Sequence, residues 1–299
     1  MQLEKKIIIL VPTLRYGGGE RVSVNLINGF LKNNYLVTLI LFDDKQIDYE
    51  ISKKVKIISL NEKTDISNYF LKIFAFAKKI FKLKKILKHS NSNILSIMPS
   101  MNILSILSKN KNQRLIITEH NILRKDTLFN KVNLILKKVL YQKADSIVAV
   151  SNGVKKNLEE EIKKLKVVTI FNPLNINEII RLSNIKIQNN YGDYIVGVGR
   201  LNNQKGFDLL IESLSQLSNK KINLLIIGDG EEKQNLIKLT KKLNISERVF
   251  FLGFIDNPYS YMKNAKFFIL SSRYEGFGMV VAEALISNAN IISFNCKYG

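Results

Sequence analysis

The chain has 299 residues, 46% of them hydrophobic and 24% charged, a composition that excludes disorder, collagen-like repeats and a disulfide scaffold and fits one large or two medium domains. Its single cysteine, Cys296, excludes an internal disulfide and a cysteine-built metal site, and fits a reducing cytoplasm. The formal net charge of +21 divides into +17 over residues 1–185 and +4 over 186–299, so the first half either meets an anionic partner or carries the solvated lysines of a Lys-, Ile- and Asn-rich chain.

Lys5-Lys6 before the apolar run Ile7–Val11 imitates a signal peptide, but Pro12 ends the run early and no small-residue cleavage site follows. A first β-strand is the better reading, and no stretch approaches the ~20 apolar residues of a spanning helix. Strands are expected at 6–12, 36–42, 55–60, 93–98, 114–119, 146–151 and 166–171, then again at 194–199, 223–228, 249–254, 265–270 and 290–295. Most are continuous β-branched runs, as in strands covered on both faces, and they alternate with amphipathic segments. The polar stretch 174–192 lacks a strand pattern and reads as a linker between a first domain, 1–175, and a second, 190–299. The expected architecture is α/β: two Rossmann-like domains with parallel sheets facing a cleft, and functional loops at the carboxyl ends of the strands.

After the first strand, Gly17-Gly18-Gly19-Glu20 exposes backbone N–H groups ahead of a helix-like segment, where phosphate or a sugar hydroxyl could approach. The spacing is neither the dinucleotide fingerprint nor a P-loop. In Asn68–Lys88, Ile73, Phe76, Ala77, Ile80, Leu83 and Leu87 share one helical face. Phe70, Phe74 and Phe81 form a second stripe beside Lys78, Lys85 and Lys88, a pattern of interfacial helices on anionic bilayers, or of aromatics packed under a loop. Lys131–Lys143 repeats the pattern more weakly. His120 ends the fifth strand, where an α/β sheet places its chemistry, whereas His89 reads as a surface residue. No histidine pair or suitably spaced carboxylate set suggests a metal, and no serine sits in a nucleophile elbow.

In the second half, Gly199-Arg200-Leu201 and Lys205-Gly206 place two cations in one loop before a helix that Asp208 could cap, a combination suited to a diphosphate. Gly228-Asp229-Gly230 and the loop 253–258 end the next two strands. Glu275 and Glu283 flank a turn broken by Gly276 and Gly278, with a helix starting at Met279. Phosphate could take the N–H groups there and sugar hydroxyls the carboxylates; a plain strand–turn–helix corner with solvated glutamates is the alternative.

Taken together, Gly17 to Glu20, Glu119-His120, Ser151-Asn152-Gly153, Asn172-Pro173, Gly199-Arg200-Leu201 with Lys205-Gly206, Gly228-Asp229-Gly230, and Glu275 with Glu283 resemble glycosyltransferase family 4 over nearly the whole chain. The family consists of retaining enzymes of the GT-B fold that use nucleotide-activated sugars. The resemblance implies that Arg200 and Lys205 bind the donor diphosphate and that Glu283 holds the ribose. It implies that Glu275, with the backbone of Gly276, Phe277, Gly278, Met279 and Val280, holds the sugar, and that His120 lines the reaction centre. Gly17, Gly18 and Gly19 would approach the diphosphate or sugar, and the loops bearing Gly228 and Ile255 would surround a base, uridine by family habit. No metal or other cofactor is implied, since the basic side chains take the metal's place. The expected partners are a nucleotide sugar, a glycan or lipid-linked acceptor, and an anionic membrane surface met by the basic first domain from the cytoplasmic side. Family members continue for about two more strand–helix units, so the second domain is expected to be incomplete. The alternatives are a remnant that only binds nucleotide and a nucleotide-sugar epimerase of the same fold. The charge alone would suit nucleic acid, but no aromatic-interleaved sheet motif or helix-turn-helix signal accompanies it, so no nucleic-acid partner is expected.

Overall fold

A computed structural model describes residues 4–15, 17–60, 69–296 and 298, and these form two compact units, divided between Pro173 and Leu174. The first contains β1 (Lys6–Val11), α1 (Gly18–Lys32), β2 (Leu36–Leu41), β3 (Lys56–Ser59), α2 (Tyr69–Leu87), β4 (Asn93–Ile97), α3 (Pro99–Ser108), β5 (Leu115–Glu119), α4 (Leu128–Leu140), β6 (Ser146–Ala149), α5 (Asn152–Glu161) and β7 (Val167–Thr169). The second contains α6 (Ile176–Ser183), β8 (Tyr194–Val198), α7 (Phe207–Gln216), β9 (Asn223–Ile227), α8 (Lys233–Lys242), β10 (Val249–Gly253), α9 (Tyr259–Asn264), β11 (Phe267–Leu270), α10 (Met279–Ile286) and β12 (Ile291–Ser293). All twelve expected strands are present, each within two residues of its expected ends.

The first sheet runs β3-β2-β1-β4-β5-β6-β7 and the second β10-β9-β8-β11-β12, all parallel. The β-branched strands suit this arrangement because both faces are covered. In the second unit Ile195, Leu224 and Ile226 pack under Phe207, Leu210 and Ile211 of α7. Their strand neighbours Val196, Leu225 and Ile227 pack with Tyr259, Met262 and Ala284 on the other side. In the first unit Ile7, Ile9, Val11, Leu39 and Leu41 pack with Val24 and Ile27 of α1. Helix starts follow local chemistry: Thr127 Oγ1 accepts from Asn130 N at 3.1 Å ahead of α4, and Ser151 Oγ accepts from Val154 N at 3.1 Å ahead of α5.

Strand order fixes where chemistry can sit. In each sheet the chain winds one way from the first strand and then returns to its other side, making a switch point between β1 and β4 and another between β8 and β11. Loops leaving the carboxyl ends of such strands splay apart and leave a crevice. The stretch read as a linker differs from expectation: it carries α6, whose Ile179 is buried in the second unit's core. Ile179, with the partly buried Leu182, suffices to dock this short helix on neighbours such as α9 and α10.

Candidate active site

In the second unit the loops after β8 and β11 are joined across the switch point. Asn202 Oδ1 accepts from Lys205 N at 3.2 Å, closing the short turn Asn203–Lys205 that brings the lysine back over the strand ends. Lys205 Nζ then lies 2.6 Å from Glu275 Oε1, which also accepts from Ser272 Oγ at 2.7 Å. Bonds to backbone carbonyls complete the junction: Arg273 N to Gln204 O at 2.8 Å, Gln204 Nε2 to Tyr274 O at 3.1 Å, and Ser271 Oγ to Lys205 O at 2.9 Å. Gly206 is where the loops touch. Its φ is +64°, and a Cβ there would stand 2.2 Å from Ser271 O, so only glycine fits.

Of the expected residues, this junction brings two into contact. Lys205 and Glu275 are bound to each other, while Glu275 Oε2 makes no hydrogen bond among the described residues. Arg200, at the end of β8, is exposed and makes no ion pair among the described residues, so it is the uncompensated positive charge at this edge. Gly278, with φ +67°, precedes α10, whose first N–H groups, Met279 and Val280 among them, have no acceptor within the helix. Glu283 is the fifth residue of α10 and is 3% exposed. Gly276 is buried and Phe277 half-buried in the turn between them. Gly228 follows β9 and donates its N–H to Gly253 O at 2.7 Å, joining the ends of the two neighbouring strands, and Ile255 packs against the core beside them. Asp208 does not cap α7. The cap position belongs to Gly206, and the Asp208 carboxylate is gripped by both terminal nitrogens of Arg273, at 2.8 and 2.6 Å, which holds its pKa below the usual range. Cys296 backs the site, its Sγ donating to Ser272 O at 2.9 Å; burial, then the Glu275 charge, push its pKa up, so it is an inert thiol.

The first unit builds a second cluster at its own switch point. Gly17 precedes α1, and the Tyr49 hydroxyl both accepts from Gly17 N at 3.3 Å and donates to Gly17 O at 3.1 Å, fixing the glycine loop. Gly18 opens the helix. Gly19 faces Met98, which follows β4 at φ +77°; a Cβ on Gly19 would stand 2.4 Å from Met98 Cε. His120 follows β5 on the same edge. Thr118 Oγ1 gives its one proton to Ser96 O at 3.2 Å and is 3.0 Å from His120 Nε2. The oxygen is thereby left as acceptor, Nε2 is the donor, and Nδ1 carries the lone pair. Although part of the residue reaches solvent, burial of the ring lowers the His120 pKa to about 4, against an opposing pull from Glu119. His120 is therefore a neutral hydrogen-bond acceptor, not a cation. Behind it Glu119, fully buried, takes Lys137 Nζ and Tyr141 OH, each at 2.7 Å, and burial followed by the Glu119 charge raises the Tyr141 pKa.

Sequence reasoning did not find Tyr49, Thr118, Ser272, Met98 or the Lys137–Glu119–Tyr141 cluster. Tyr49, Met98 and the cluster act through partners far along the chain, which no local spacing records, while Ser272 and Thr118 meet Glu275 and His120 close by in sequence, through bonds that residue type alone does not announce. Of the stripe expected on α2, Phe74 and Phe81 are 71% and 73% exposed, and the Phe70 side chain lies outside the described residues. Among the described residues no helix is long and apolar enough to cross a membrane, and no group of three or more His, Cys, Asp or Glu side chains could hold a metal.

Comparison with known proteins bears on the family and the fold. The family model described as Glycosyltransferase Family 4 matches residues 16–178, and that described as Glycosyl transferases group 1 matches 180–299. An N-acetylgalactosamine-N,N'-diacetylbacillosaminyl-diphospho-undecaprenol 4-alpha-N-acetylgalactosaminyltransferase of Campylobacter jejuni is 31% identical over 99% of this chain and 82% of its own length. An uncharacterised glycosyltransferase of Methanocaldococcus jannaschii is 32% identical over 87% of this chain and 70% of its own. Among solved structures, a point mutant of Staphylococcus aureus TarM in complex with fondaparinux, alpha-GlcNAc-glycerol and UDP has a TM-score of 0.79 at 16% identity, covering 99% of this chain and 87% of that one. The lipopolysaccharide outer core galactosyltransferase WaaB gives 0.71 at 22% identity, covering 99% and 82%.

Proposed function

The chain belongs to glycosyltransferase family 4, and we propose that it moves a sugar, with retention, from a uridine diphosphate donor to a lipid-linked or cell-surface glycan at the cytoplasmic face of a membrane. The observation that carries this reading is the junction of the β8 and β11 loops, where a free guanidinium, a lysine and a carboxylate with one open oxygen share one strand edge. A leaving diphosphate needs the first two, and a sugar hydroxyl needs the third.

Cleavage of the anomeric C–O bond leaves positive charge on the sugar and negative charge on the diphosphate. Arg200 and Lys205 stabilise the latter from fixed positions, in place of a metal. Lys205 is preorganised by Glu275, so little side-chain freedom is lost when the phosphate arrives. Glu275 Oε2 accepts from a donor hydroxyl, Glu283 from the ribose, and the N–H groups opening α10 meet the donor's oxygens. The acceptor hydroxyl attacks from the face the diphosphate leaves, and its proton passes to the departing phosphate oxygen. No protein nucleophile is required. His120 Nδ1 accepts a hydroxyl proton in a hydrogen bond. The acceptor class follows the C. jejuni relative, whose name specifies an undecaprenol-linked substrate, and the basic first unit holds the enzyme at the surface where such substrates lie.

A panel of nucleotide sugars tested for thermal stabilisation, followed by calorimetry of the best binder, tests the proposal. Arg200→Ala should weaken nucleoside diphosphate binding about tenfold or more, the loss of a charge-assisted bond of roughly 1.5–3 kcal/mol. Unchanged affinity in this variant would remove Arg200 from the site.

A further inference from the structure

We propose that the outward face of α4, with that of α2, is a docking surface for an anionic lipid bilayer. This deepens the membrane-bound reading above and rests on it for its purpose. In a domain helix the apolar stripe faces the core; in α4 it faces water. Leu128, Val132, Ile135, Leu136 and Val139, spaced i, i+4, i+7, i+8 and i+11, are 43–78% exposed. The opposite side makes the packing contacts: Leu134 and Leu140 are buried, and Lys137 turns inward to Glu119. On a helical wheel Lys131 and Lys138, both exposed, border one edge of the stripe.

The neighbouring surface repeats the design. α2 and α4 both pack on α3, and the outward side of α2 carries Phe74, Lys78, Phe81 and Lys85, all exposed. The two helices together hold nine lysines and no aspartate or glutamate. Asp126, just before α4, is engaged by Arg124 and Asn130. Apolar side chains rimmed by lysine match an acyl boundary beneath anionic headgroups. A second copy of the chain would bring lysine against lysine, and a nucleic acid would leave the aliphatic stripe without a use.

Sedimentation of the full chain with vesicles tests this. Expected is retention on vesicles containing about one-third phosphatidylglycerol, and at least tenfold weaker partitioning to pure phosphatidylcholine. Ile135→Ser with Val139→Ser, and separately Lys131→Glu with Lys138→Glu, should each reduce retention about tenfold while the protein stays folded and binds nucleotide as before, because these side chains are mostly exposed and lie outside the candidate site. High salt should weaken the wild type and leave the residual apolar contribution. Unchanged retention in both pairs of variants, equal retention on both vesicle types, or a wild-type dimer that becomes monomeric in the serine variant would overturn the proposal. Vesicle binding needs neither donor nor acceptor. An enzyme that transfers to a detergent-dispersed acceptor but ignores vesicles refutes the docking surface alone; one that binds vesicles but shows no transfer refutes the transferase reading alone.

Discussion

His120 shows how much one side chain's surroundings decide. Its pKa lies at about 4, below the 6.5 of a free histidine, so between these values the unfolded chain binds a proton that the folded chain refuses. Stability contributed by the neutral ring is therefore complete above pH 6.5 and is lost as pH falls toward 4, a loss of about 3 kcal/mol in total. Urea unfolding at pH 7 and pH 4.5 should show a larger acid loss in the wild type than in His120→Asn. With only two histidines in the chain, nitrogen NMR can read the His120 ring directly. An Nε2–H tautomer that stays neutral to pH 5 is expected, and titration near 6.5 would contradict the assignment. The Lys205–Glu275 pair divides differently. Lys205→Met should lower nucleoside diphosphate affinity about tenfold, whereas Glu275→Gln should change it by less than about threefold and instead lower turnover of the intact nucleotide sugar. Equal losses of both kinds in both variants would merge the two roles.

Elements were legible wherever local composition decides them. Unbroken aliphatic runs such as Ile7–Val11 and Leu224–Ile227 announce strands covered on both sides, and the glycine and Glu275–Glu283 spacings announced the loops that follow β1, β8 and β11. Periodicity could not say which way a helix faces: α4 has a clear apolar stripe, yet its direction depends on the buried Lys137–Glu119 pair, which joins two distant elements. The stitching of the β8 and β11 loops was likewise invisible, because Gly206 and Ser271 meet only after the sheet forms. Gly206→Ala should consequently cost more than about 1 kcal/mol and displace the Ser271–Gly278 turn. Gly29→Ala in α1, where an added Cβ meets nothing within 4 Å, should stabilise by roughly 0.5–1 kcal/mol. Thermal melts of the two variants, with nucleotide binding measured on the first, check the contrast. A Gly206→Ala protein as stable and as tight-binding as wild type would show that the loop contact is not required.

At the scale of the molecule, one plan is used twice: a parallel sheet, a switch point, and motif loops gathered at the carboxyl edge beside it. The charge is not shared evenly, and about half the surplus of the first half falls on α2 and α4, the helices that show apolar side chains to solvent. Glycosyl transfer is the claim on which the site roles rest, and its direct test is a coupled measurement. The full chain is incubated with the best-binding nucleotide sugar and a polyprenyl-diphosphate-linked glycan, without added metal, and nucleoside diphosphate release is followed alongside the mass and anomeric configuration of the product. Expected is one sugar added per diphosphate released, with the donor's configuration retained, and a fall of at least about 100-fold in Arg200→Ala with Lys205→Met, as for loss of two transition-state contacts. Inverted product, or equal turnover in the double variant, would contradict it.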